Sequence, residues 1–103
     1  MIAIGDRTFS GCTSLTSIEL LDSVTSIGWS AFKCCTSLTS IDLPDSVTSI
    51  DDTAFEGCMA LSIYCKASSK PEKWNIKWNC DNRPVYFAGD WGYDENGKPI
   101  RLK

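Results

Sequence analysis

The sequence predicts an α/β solenoid with coils of 23 residues, each made of short strands and one helical turn, closed by a C-terminal cap. Three observations predict it. The stretch TSLTSIELLDSVTSI at residues 13–27 returns as TSLTSIDLPDSVTSI at residues 36–50, with Asp42 in place of Glu19 and Pro44 in place of Leu21. The echo reaches single positions 23 residues apart: Ile4, Ile27 and Ile50; Phe9, Phe32 and Phe55; Cys12, Cys35 and Cys58; Leu15, Leu38 and Leu61. A fixed period in this range marks coils that cannot bury their apolar side alone and must stack on their neighbours. Within each coil, finally, the apolar residues change from turn-of-helix spacing to alternation.

Taking one coil in order, WSAFKCC after Gly28 places Ala31, Phe32 and Cys35 at the spacing of a helical turn, and the third coil offers Asp51 or Asp52 as its N-cap. TSIDL follows, with Ile41 and Leu43 on one face and Asp42 between them, which is strand periodicity with one side buried. Pro44 stands just after that strand, where no ladder donor is needed. VTSI at residues 47–50 is a second, shorter extended edge. The array covers residues 1–65, as coils 4–26 and 27–49 and a partial coil 50–65, where LSIYC has lost one residue relative to LTSIDL.

The run F-x-x-C-x-x-L-x-x-I-x-L occurs as Phe9, Cys12, Leu15, Ile18, Leu20 and again as Phe32, Cys35, Leu38, Ile41, Leu43. It resembles the BspA-like, Treponema-type leucine-rich repeats of bacterial surface proteins. The Cys here precedes the leucine block, unlike the common leucine-rich consensus. Residues 65–87 resemble the Trp-containing segment that often ends such arrays. The resemblance implies a noncatalytic protein-binding or adhesive scaffold, a cell-surface or secreted location, and a host or bacterial surface protein as partner.

Beyond residue 65, residues 66–90 are expected to cap the array, and residues 91–103 to form a hairpin or the start of a linker. Ser69 and Glu72 have the spacing of a capping box with Pro71 in the first turn, which predicts a short helix carrying Trp74 and Trp78 on one side. Asn96-Gly97 suits a two-residue hairpin turn. VTSI at residues 47–50 has its counterpart in MIAI, so Met1–Ile4 read as the middle of a repeat and the chain as the end of a longer array. The open first coil is then expected to pair two copies into a homodimer through its strand edge.

Composition narrows the function. The net charge of −3 and a pI near 4.7 offer no Lys/Arg face for phosphates, which argues against nucleic acid. No apolar run reaches membrane-spanning length, so no membrane insertion is expected. There is no His for general base work, no Gly-rich phosphate loop and no activated Ser or Cys, so neither a catalytic residue nor a cofactor is assigned. Of the six cysteines, Cys12, Cys35 and Cys58 are expected to pack as free thiols in a buried column, Cys34 to be exposed where Gly11 and Gly57 stand, and Cys65 with Cys80 to be the pair left open for a bridge. No C-x-x-C pair exists, and no metal site is assigned.

Recognition is expected on the outer face of the strands. There Ser17, Ser40 and Ile63 or its neighbour form one column, and Glu19, Asp42 and Tyr64 the next. This acidic, hydroxyl-rich face suits a basic protein patch. Two alternatives stand beside it: a purely structural cap and spacer, and a carbohydrate-binding module that stacks sugars on Trp74, Trp78, Trp91 and Tyr93.

Overall fold

A computed structural model describes residues 2–75 and 77–102 of the chain. The reading of residues 1–4 as the middle of a repeat lies, for Met1, outside the described residues. β1 (Ile2–Ile4), β2 (Val24–Ile27) and β4 (Ser49–Ile50) stack in parallel in the order β1-β2-β4. β3 (Ser40–Leu43), β5 (Ser62–Cys65) and β6 (Val85–Tyr86) form a second parallel sheet in the order β3-β5-β6. β7 (Trp91–Tyr93) and β8 (Pro99–Arg101) make an antiparallel hairpin. The first sheet sets Ile4 on Ile27 and Ile27 on Ile50, whereas the second sets Ile41 on Ile63 and Ile63 on Val85, one residue short of the period.

The expected helical turn is absent, and among the described residues no helix forms at all. The reason is visible in the backbone hydrogen bonds. Ala31 N, Lys33 N and Cys35 N turn back on Gly28, Ser30 and Phe32 carbonyls three residues earlier, while Ser30 N, Phe32 N and Cys34 N donate to Asp52, Ala54 and Glu56 carbonyls of the next coil. The first coil repeats this, with Arg7 N, Phe9 N and Gly11 N donating to Trp29, Ala31 and Lys33 carbonyls. A helix would aim its N–H groups along its own axis, bonding those beyond the first turn within its own coil; here alternate donors tie coil to coil. Sending them outward requires left-handed residues at two positions of each turn, Arg7, Ser30 and Thr53 (φ 58°, 53° and 55°) and Gly11, Cys34 and Gly57 (φ 77°, 61° and 82°). Helical spacing still located the inward residues, since Ala31, Phe32 and Cys35 are fully buried.

The interior is a set of columns. The rings of Phe9, Phe32 and Phe55 stack with centroids 5.3 and 5.4 Å apart. Beside them the cysteines do more than fill volume. The Cys35 thiol donates to the Phe9 carbonyl at 3.1 Å and the Cys58 thiol to the Phe32 carbonyl at 2.9 Å, so each column cysteine links its coil to the preceding one. All six cysteines are free. Cys12 is only half-buried, as are Phe9, Leu15 and Ile18, because nothing among the described residues stacks on the first coil. Cys65 is buried in β5 and Cys80 is exposed, so the pair left open for a bridge is unbridged.

Two further expectations change. The first coil has no strand equivalent to β3: residues 16–20 are irregular, joined to the second coil by a long bond from Thr39 N to the Thr16 carbonyl at 3.4 Å. Between β3 and β5 the ladder ends with Lys66 N donating to Leu43 O at 3.0 Å. Pro44 occupies the place of Lys66 one coil earlier and has no N–H to give the Leu20 carbonyl. Second, the helix expected from the Ser69–Glu72 capping box does not form. The chain continues as a fourth, irregular coil whose backbone and side chains meet the groups of the third: Asn75 N donates to Ile50 O, Thr53 N to Lys77 O, Gly57 N to Asp81 Oδ2, and Ile63 N to Pro84 O, at 2.7–3.2 Å. Trp78 falls 23 residues after Phe55 and packs edge-on against it at 6.3 Å.

Phe32 has a stacked ring on both sides, so truncation leaves a cavity that neither neighbour can close. Phe32→Ala is expected to cost about 3–5 kcal/mol, read as a fall in chemical-denaturation midpoint relative to the parent. An unchanged midpoint would mean that the column does not hold the coils together.

Candidate functional site

Side chains between the buried positions of β3 and β5 point away from the core and align across the coils. Ser40 pairs with Ser62, the neighbour of Ile63, and Asp42 pairs with Tyr64. Tyr64 pairs in turn with Tyr86 of β6, so the outer column of the sheet runs Asp42, Tyr64, Tyr86, and Glu19 holds the equivalent repeat position in the irregular first coil. The face is acidic in the first two coils and aromatic in the last two, where the two tyrosine rings stack at 5.3 Å.

The hairpin β7–β8 lies on the aromatic half. The Trp91 ring sits 5.3 Å from that of Tyr64, and its Nε1–H donates to the Cys65 carbonyl at 2.8 Å. Arg101 of β8 stands over the Tyr86 ring, 6.0 Å from its centroid. At the junction of the two halves the Tyr93 hydroxyl donates to Asp42 Oδ2 at 2.6 Å. Burial, followed by the hydrogen bond to Asp42 and the negative charges of Asp42 and Glu19, pushes the Tyr93 phenol up to about 12, so it stays protonated and holds the carboxylate as a donor.

This arrangement divides the candidate residues. Ser17 and Glu19 are exposed, Ser40 and Asp42 half-buried, and all four line a groove of about 570 Å³ whose opposite wall is the hairpin at Tyr93 and residues 97–99. Lys66 and Lys98 also line it. Tyr64 takes the outer-face position read for it but is covered by the hairpin and only 8% exposed. The four-residue aromatic platform does not exist: Trp74, Trp78 and Trp91 are buried, and Tyr93, 49% exposed, is left on the surface. Trp74 is held inside by its own chemistry, its Nε1–H donating to the Val47 carbonyl at 3.2 Å while its ring packs on Trp78 at 4.8 Å. Exposed tryptophans are what a sugar platform needs, whereas here the Trp74 and Trp91 ring nitrogens bond the Val47 and Cys65 carbonyls and Trp78 packs edge-on against Phe55.

The groove's hydroxyls and carboxylates can bond amide and cationic groups. Among the described residues, no three His, Cys, Asp or Glu side chains gather closely enough to hold a metal ion. No helix of the described residues is long and apolar enough to cross a membrane. The residue-level reading missed the hairpin's seat. The available signal was the replacement of an acid by Tyr at residues 64 and 86, which puts an apolar ring where the earlier coils face water.

Residues 1–73 match the family described as BspA type leucine rich repeat region (6 copies). No curated protein and no solved structure matches the chain.

If the Tyr93 hydroxyl donates to the Asp42 carboxylate, Asp42→Asn removes the negative charge that favours the neutral phenol while keeping a side-chain oxygen as acceptor. The Tyr93 titration, followed by ultraviolet absorbance, is expected to move down from about 12 towards its ordinary 10. No movement would show that the hairpin does not engage Asp42.

Proposed function

The chain belongs to the BspA-type leucine-rich repeat family, and from that premise we propose that it is a noncatalytic protein-binding scaffold of a bacterial cell surface, with an adhesive role. The observation that carries this reading is the groove beside the hairpin. A regular stack has no need to leave one half of its strand face open and cover the other. Covering the aromatic half removes apolar rings from water, whereas the polar half is stable in water and remains available. Stacked coils present such a face rigidly, so a partner binds without the cost of ordering it. A spacer role would use the core alone and ignore this face.

The test is a screen of the full chain against immobilised extracellular-matrix and bacterial surface proteins and a glycan array, repeated with Ser40→Arg, which fills the groove with a long side chain. Binding to proteins that Ser40→Arg abolishes is the expected result. Binding only to glycans, or protein binding that Ser40→Arg leaves unchanged, would overturn the proposal.

A further inference from the structure

We propose that the groove takes an extended polypeptide segment that presents an arginine, whose guanidinium pairs with Asp42 and Glu19 and lies against the Tyr93 ring. This rests on the protein-binding reading above and adds the chemistry of the partner.

The first argument is continuity with an interface already on this face. The aromatic half is occupied by an extended segment of the chain itself, the hairpin, which is held by a ring-nitrogen bond to a strand carbonyl at Cys65 and by Arg101 over Tyr86. The acidic half is the same face two coils earlier: β3 carries Ser40 and Asp42 outward in parallel with β5, and the irregular segment of the first coil brings Ser17 and Glu19 to the same groove. A second extended segment laid beside the hairpin would meet Ser17 and Ser40, whose hydroxyls can bond its peptide groups, before it reached the carboxylates.

The second argument is charge complementarity. Where the hairpin's arginine meets a tyrosine, the open half offers the carboxylates of Glu19 and Asp42. Tyr93 takes Asp42 Oδ2 and leaves Oδ1 for a ligand, and the same tyrosine keeps about half its surface in water at the groove wall. A carboxylate beside an aromatic face suits a planar cation, which can accept a forked hydrogen-bond pairing and stack at once. A lysine ammonium would satisfy the charge but not the stacking. Lys66 and Lys98, which also line the groove, disfavour a ligand that is basic along its whole length, so a single arginine in an otherwise neutral, hydroxyl-bearing segment fits best.

The experiment uses the full chain and three fluorescein-labelled Ser/Thr-rich heptapeptides that differ only at the central residue, Arg, Gln or Glu, with affinities read by fluorescence anisotropy. The Arg peptide is expected to bind about tenfold more tightly than the Gln peptide, a difference of the size a charge-assisted pairing supplies. The double variant Glu19→Gln, Asp42→Asn should erase that preference. Circular dichroism checks that each variant is folded. Equal binding of the Arg and Gln peptides, an Arg preference that survives the double variant, or no binding of any peptide would overturn the inference. Equal binding that Ser40→Arg blocks would still support a protein-binding groove, which separates the failure of this inference from that of the broader proposal.

Discussion

The structure depends on one spacing, the distance at which successive coils stack. Phe9, Phe32 and Phe55 hold it with rings 5.3 and 5.4 Å apart, and stacked strands independently demand about 4.8 Å. Once the coils are that close, the turn edge cannot remain a helix, because its backbone groups face those of the next coil across hydrogen-bonding distance. Half of its donors therefore leave their own coil. The left-handed residues at Ser30 and Cys34 are the conformational consequence, and the thiol bonds from Cys35 and Cys58 to phenylalanine carbonyls use the same proximity. Ring stacking, turn geometry and cysteine placement are one constraint expressed three times.

That constraint also explains the outer face. Identical positions in successive coils must align, so a change in one residue type along the chain becomes a change of surface across the sheet. Two acids followed by two tyrosines give a face that is water-compatible at one end and apolar at the other. The C-terminal hairpin settles on the apolar end, and its edge becomes a wall for the polar end. The groove is thus a by-product of covering Tyr64 and Tyr86, and its floor was written by the repeat itself.

Much of this was legible in the residues. Periodicity located the inward columns and most of the extended edges, because stacking forces equal spacing to mean equal position, and the one residue lost in LSIYC relative to LTSIDL gave the pairing of Asp42 with Tyr64. The turn edge was misread as helical because Ala31, Phe32 and Cys35 have the same spacing in either geometry. What distinguishes the two is where the intervening N–H groups go, and no side chain records that. The segment after Lys66 was misread because Ser69, Pro71 and Glu72 form a local capping pattern, while the demand that decided the outcome came from the third coil's open backbone. The interval from Phe55 to Trp78, equal to the repeat, carried the correct answer. Trp91 and the hairpin's seat depend on a contact between parts of the chain far apart in sequence, which periodicity does not address.

The central claim, that coil-to-coil bonds at the turn edge replace a helix, is tested most directly by amide hydrogen exchange resolved to single residues. Phe32 N–H and Cys34 N–H, which donate to Ala54 and Glu56 carbonyls, should exchange as slowly as the buried strand amides and open only on global unfolding. In Phe32→Ala they should lose that protection together, because both depend on the neighbouring coil. Exchange at these two positions at the rate of exposed loop amides in the parent protein would contradict the account.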